Sequence, residues 1–134
     1  MSICGRCSAR SERACTYIPQ TREYYGVLIA ALRHVAYRCG YALAVHGSLK
    51  TDIDLLAAPW REGAVNREYL AEEIRKTAEQ IIGFAHTRKY DVCPIHKPEG
   101  RLAWTFYLVP EDVTGPYIDL SVMPRPKDLE KKKK

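Results

Sequence analysis

An α+β fold is predicted, with two helices packed on one face of a mixed, mostly antiparallel four-stranded sheet. Three observations predict it. Residues 21–40 and 66–83 repeat apolar side chains at helical spacing, and four short stretches are apolar or alternate with period two. The order is helix, two strands, helix, two strands, which suits helices layered on one sheet face. At 134 residues, with 46% apolar and 28% charged residues, the chain is long enough for one domain with a single hydrophobic core.

The first helix is expected from Thr21, a candidate N-cap, to a stop at Gly40, with Tyr24, Leu28, Ala31, Leu32, Val35 and Cys39 on its apolar face. Tyr41–His46 follows as an apolar strand, then the turn Gly47-Ser48-Leu49-Lys50-Thr51. A second strand, Asp52–Ala58, is closed by Pro59; so short a connection predicts antiparallel pairing. Asn66 is placed to cap a second helix whose stripe is Leu70, Ile74, Ala78 and Ile81, ending at Gly83. Residues 84–100 read as irregular. Arg101–Val109 alternates as a strand with Leu102, Trp104, Phe106 and Leu108 inward, and Tyr117–Val122 is the last strand. Pro124 and Pro126 are expected to end regular structure. The domain is thus expected to span 21–124, between an arm at 1–20 and a Pro/Lys-rich tail at 125–134.

The net charge of +5 is carried by the ends. Lys131–Lys134 supply four of those charges, and residues 1–20 carry three Arg against one Glu, which leaves the body near −1. A nucleic-acid binder working through a basic face is therefore not favoured. No apolar run approaches the roughly 20 residues of a membrane span, and the start lacks a signal-peptide core, so a cytoplasmic protein without a membrane partner is expected. Five cysteines, an odd number, suit a reducing compartment. Cys4, Cys7 and Cys15, with Cys93 and His96, could ligate zinc, but the two half-patterns lie far apart, and free thiols are the stronger reading.

The chemistry concentrates in three acids. Asp52 and Asp54 flank Ile53 and share the strand face opposite Ile53, Leu55 and Ala57. Asp119, between Ile118 and Leu120, repeats the setting of Asp54. If the two strands are neighbours, three carboxylates converge, and like charges so crowded are normally offset by a cation. Oxygen ligands of this kind suit Mg²⁺ or Mn²⁺. Lys50 beside the acids, and Lys97 and Arg101 around Pro98-Glu99-Gly100, are candidate phosphate contacts. His46 is read as a structural histidine, and Trp60 and Trp104 as packing.

Gly47-Ser48, Asp52-Ile53-Asp54-Leu55 and the later Ile118-Asp119-Leu120 resemble the signature of the nucleotidyltransferase superfamily, which has the polymerase β-like fold. HGSLKTDIDLLAAPW, KPEGRLAW and YIDLSVMPR are also similar to small proteins encoded by tailed bacteriophages, over roughly residues 40 to 124. The resemblance implies that Gly47 and Ser48 engage a nucleoside triphosphate. It also implies that Asp52, Asp54 and Asp119 hold metal ions, and that Asp119 helps activate an acceptor hydroxyl. A phage origin would place the protein in the host cytoplasm. The chain departs from the superfamily in leaving only Leu49-Lys50-Thr51 between the Gly-Ser turn and the acid pair. That motivates an alternative, a catalytically inactive nucleotide- or protein-binding phage accessory protein on the same fold. No separate acceptor-binding domain is visible, so a homodimer or a protein partner would supply one.

Overall fold

The computed structural model describes residues 22–49, 52–87, 94–110 and 115–130. Within them the chain is α+β. The elements are α1 (Arg22–Arg38), β1 (Tyr41–His46), β2 (Ile53–Pro59), α2 (Arg67–Ile82), β3 (Ile95–His96), β4 (Leu102–Tyr107), β5 (Tyr117–Val122) and α3 (Pro126–Glu130), with a 3₁₀ turn at Pro98–Gly100.

The sheet has five strands in the order β1-β2-β5-β4-β3. Only β2 and β5 run parallel; the other neighbouring pairs are antiparallel. The expected four strands are corrected to five. The added strand, β3, pairs Ile95 with Ala103 and His96 with Leu102. It is two residues long and both are exposed, so it carries no alternation that a periodicity reading could detect. His86 also forms an isolated bridge to Tyr107, so the segment read as irregular is pinned to the sheet at two points.

Packing explains the element choice. In α1 the buried side chains are Tyr25, Leu28, Ile29, Leu32 and Ala36, with Cys39 just past its end. Leu28, Leu32 and Cys39 are as expected, whereas Ala31 and Val35 are half-buried and the Tyr24 side chain lies outside the described ones. Burial raises the Cys39 thiol pKa, as for a core cysteine. The α2 stripe is Leu70, Ala71, Ile74 and Ala78. Ile81 is exposed, and Ile82 packs on the core instead. Asn66 caps α2 as expected, its Oδ1 accepting from the Tyr69 N–H at 2.7 Å, and Gly83 ends it in the left-handed conformation. The helix α1 packs against β1 and α2, and α2 also touches β4. Their stripes meet Ile53, Leu55, Ala57, Leu102, Trp104, Phe106, Ile118, Leu120 and Val122 in one core.

Regular structure does not stop at the prolines. Pro126 opens α3, a position where its missing N–H costs nothing. Asp128, two residues on, accepts from the backbone N–H of Arg125 at 2.8 Å, closing the first turn. The same carboxylate accepts from the Arg125 guanidinium at 2.8 and 3.0 Å, and Arg67 of α2 stands 3.4 Å away. Arg125 in turn donates to the Ala64 carbonyl at 3.1 Å, and Arg67 to that of Gly100 at 2.6 Å. This clasp binds α3 to the β2–α2 loop, the start of α2 and the 3₁₀ turn.

The Arg125 hydrogen bond holds the Asp128 pKa down to about 2, from an ordinary 3.8. A depressed carboxylate stabilises the fold above its unfolded value and loses that contribution as pH falls towards the folded one. Asp128→Ala should cost about 3 kcal/mol, because it leaves the buried Arg125 charge unpaired. Urea titration should show the loss at pH 7, and the gap to the unmodified protein should narrow between pH 4 and pH 2, the window set by the Asp128 shift.

Candidate functional site

The site grows from two registers. The antiparallel pair β1–β2 sets His46 opposite Asp54, and the parallel pair β2–β5 sets Asp54 opposite Asp119. On the far side of β5, Asp119 is opposite Thr105 of β4. Directly paired residues point to the same face, so His46, Asp54, Asp119 and Thr105 form one row across four strands, away from the buried core.

Asp52 extends this row by one step. It sits just before β2, and its carboxylate accepts a hydrogen bond from the Tyr117 hydroxyl at the start of β5. That bond is the main reason the Tyr117 phenol is pushed up to about 12; burial and the charges of Asp52, Asp119 and Asp54 add to it. All three carboxylates therefore bear on one hydroxyl. The Tyr117 ring is itself set by Tyr107 of β4, with centroids 5.9 Å apart.

Asp119 carries the electrostatic strain. Burial, then the neighbouring Asp54, raise its pKa above the ordinary carboxylate value, and Asp52 adds a smaller push; Lys97 and His46 pull it back. Among the described residues, Lys97 and His46 thus favour the charged form of this carboxylate.

The Gly-Ser turn leans on the acids. Gly47 has φ +87°, and a Cβ placed there would stand 2.7 Å from Asp54 Oδ2. Only glycine allows both the left-handed backbone and so close an approach. Ser48 is exposed beside it. Leu49, also left-handed at φ +58°, packs on the edge of the core and anchors the turn.

Of the expected site residues, Gly47, Asp52, Asp54, Asp119 and Lys97 are gathered here, with Ser48 at the margin. Arg101 follows the 3₁₀ turn, and its Nε donates to the Pro98 carbonyl at 3.3 Å. Lys50 lies outside the described residues, as do Cys4, Cys7, Cys15 and Cys93 of the zinc reading; His96 is exposed on β3. Among the described residues no three His, Cys, Asp or Glu side chains form a group ready to hold a metal ion. Sequence reasoning passed over Tyr117 and Thr105. Tyr117 was legible, being two residues before Asp119 and hence on its face. Thr105 was not, because its place depends on the β4–β5 register.

No protein-family model matches this chain, and no curated protein matches it.

Two outcomes are expected at this site. Gly47→Ala should cost about 1–2 kcal/mol in urea unfolding, since it adds a strained φ to a clash with Asp54. Asp119→Asn should raise the thermal midpoint in metal-free buffer at neutral pH. A carboxylate with a raised folded pKa favours the fold at low pH and works against it once pH exceeds that value. The gain from Asp119→Asn should accordingly vanish below the ordinary carboxylate range, which melting curves from pH 3 to 8 will check.

Proposed function

We propose that the protein is a metal-dependent nucleotidyltransferase: an acceptor hydroxyl bonds to the α-phosphorus of a nucleoside triphosphate, the α–β phosphoanhydride breaks, and pyrophosphate leaves. The observation that carries this reading is the in-register pair Asp54 and Asp119, with Asp52 one step away and the Gly47 backbone against Asp54.

The donor set fits a hard divalent cation. It consists of carboxylate oxygens, and the mutual repulsion that raises Asp119 is relieved by positive charge as well as by a proton. Asp52, Asp54 and Asp119 would hold Mg²⁺ or Mn²⁺, which supplies charge neutralisation on the triphosphate. The protein's own groups do the positioning. The Gly47-Ser48 turn would present its backbone and hydroxyl to phosphate oxygens, and Lys97 would add a cation beside Asp119. Asp119 would accept the proton of the acceptor hydroxyl, a task helped by its raised pKa. Tyr117 would keep Asp52 aimed at the row. Phosphoryl transfer asks for little more than such positioning and electrostatic support.

A second reading is favoured by one feature, the three residues between Ser48 and Asp52. In it the same turn and acids bind a nucleotide or a protein without turnover.

Incubation with each α-labelled triphosphate and Mg²⁺ or Mn²⁺ in cell lysate separates the two. Asp54→Asn should lower label transfer at least a hundredfold while circular dichroism stays unchanged. Equal transfer by that variant would sink the acid mechanism. Nucleotide binding without transfer by the unmodified protein would establish the second reading.

A further inference from the structure

The two tryptophans, alike in sequence as packing residues, are placed very differently. Trp104 is 7% exposed and belongs to the core, whereas Trp60, just past β2, is 47% exposed. Trp60 stacks on Tyr37 of the last turn of α1, with centroids 5.0 Å apart and planes 21° from parallel, and Tyr37 is itself 61% exposed. The pair is held in place. The Arg61 guanidinium lies 5.5 Å from the Trp60 ring centroid and donates to the Arg38 carbonyl at 2.8 Å. The Trp60 N–H backbone group donates to the Gly40 carbonyl at 3.0 Å. An ordered aromatic stack open to water differs from a scattered exposed side chain, because its orientation is already fixed.

Beside the stack opens a cavity of about 500 Å³. Trp60, Arg61 and Lys127 line it, with Glu62 and Glu130 also present, and its Arg125 is neutralised by Asp128. The sequence runs on from α3 into Lys131–Lys134. The mixed charge makes this a poor general patch for polyanions and puts the weight on the rings. Trp60 lies six residues beyond Asp54, about 20 Å along an extended strand, so the acids do not share this site.

We propose that the Tyr37–Trp60 stack is a platform for an unpaired base of single-stranded nucleic acid, with Arg61 and Lys127 meeting the neighbouring phosphates. Tyr37 covers one face of Trp60 and the Arg61 guanidinium lies over that ring, so the base stacks on the outer face of Tyr37, which is 61% exposed; every base has a face for such a ring. A duplex offers no free base face inside its stack, and the flanking carboxylates leave it little electrostatic attraction. The platform stands apart from the transferase reading.

Fluorescence anisotropy with labelled twelve-residue oligodeoxythymidylate and oligouridylate, at low salt, tests it. The unmodified protein should bind at least one of them saturably, with quenching of the exposed tryptophan and weaker binding as salt rises. Tyr37→Ala should weaken binding about tenfold, in line with the loss of one stacked base, and Trp60→Ala should do the same because it removes the ring that holds Tyr37 in place. Trp60→Phe, which keeps a ring, should stay within a few-fold, and Asp54→Asn should bind as the unmodified protein does. Circular dichroism checks that each variant is folded. The proposal is overturned if neither oligonucleotide binds, if a duplex binds equally tightly, if folded Trp60→Ala binds unchanged, or if Asp54→Asn abolishes binding.

Discussion

The candidate site depends on the parallel pairing of β2 with β5. Ile53 and Leu55 on one strand and Ile118 and Leu120 on the other are completely buried. Each contributes roughly 1.5–3 kcal/mol by leaving water. Because side chains alternate, that burial forces Asp54 and Asp119 outward and opposite each other. Two unit charges held 4 Å apart repel by about 1 kcal/mol in water and about 4 near a protein surface. Four buried aliphatic side chains outweigh it. A slip by one residue would relieve the acids only by turning the isoleucines and leucines out to solvent. The core therefore sets the register, and the acids are carried with it.

From that pairing the sheet acquires two ends with different characters. At the start of β2 and β5 lie Asp52, Tyr117, the Gly47 turn and the acid row. Past the end of β2 lie Trp60, Arg61 and the cavity flanked by α3. The Arg125–Asp128 clasp belongs to the second end, where it holds α3 against the β2–α2 loop. A buried ion pair of this kind contributes little relative to a well-packed apolar substitute. What it does supply is direction: bonds to Ala64 and, through Arg67, to Gly100 fix where a five-residue helix sits. So short a helix has no stability of its own.

How much of this was legible in the sequence follows from the range of each interaction. Asn66, Gly83 and the inward residues of β4 and β5 were readable because caps and alternation act within a few residues. So was the shared face of Asp52 and Asp54. The meeting of Asp54 with Asp119 was readable only as a conditional, since 65 residues separate them and local pattern says nothing about which strands are neighbours. The strand β3 escaped because two exposed residues have no period. Trp60 packs as expected, on Tyr37, but its exposure was not readable, for a different reason. Its type favours burial, but Pro59 ends the strand and the following Arg61-Glu62-Gly63 turn leaves the ring over the C-terminus of α1 rather than under the sheet.

The Tyr117–Asp52 hydrogen bond sharpens the choice between a catalytic and a purely binding site. A carboxylate offers about four acceptor positions, and Tyr117 occupies one of them. Asp52 keeps acceptor positions to spare, so the bond orients the carboxylate without saturating it. Ligand capacity is therefore not what separates the two readings. The separating feature is the turn. Three residues separate Ser48 from Asp52, and among the described residues the Gly47 backbone stands against the Asp54 carboxylate. A phosphate received there would sit beside the carboxylate row itself.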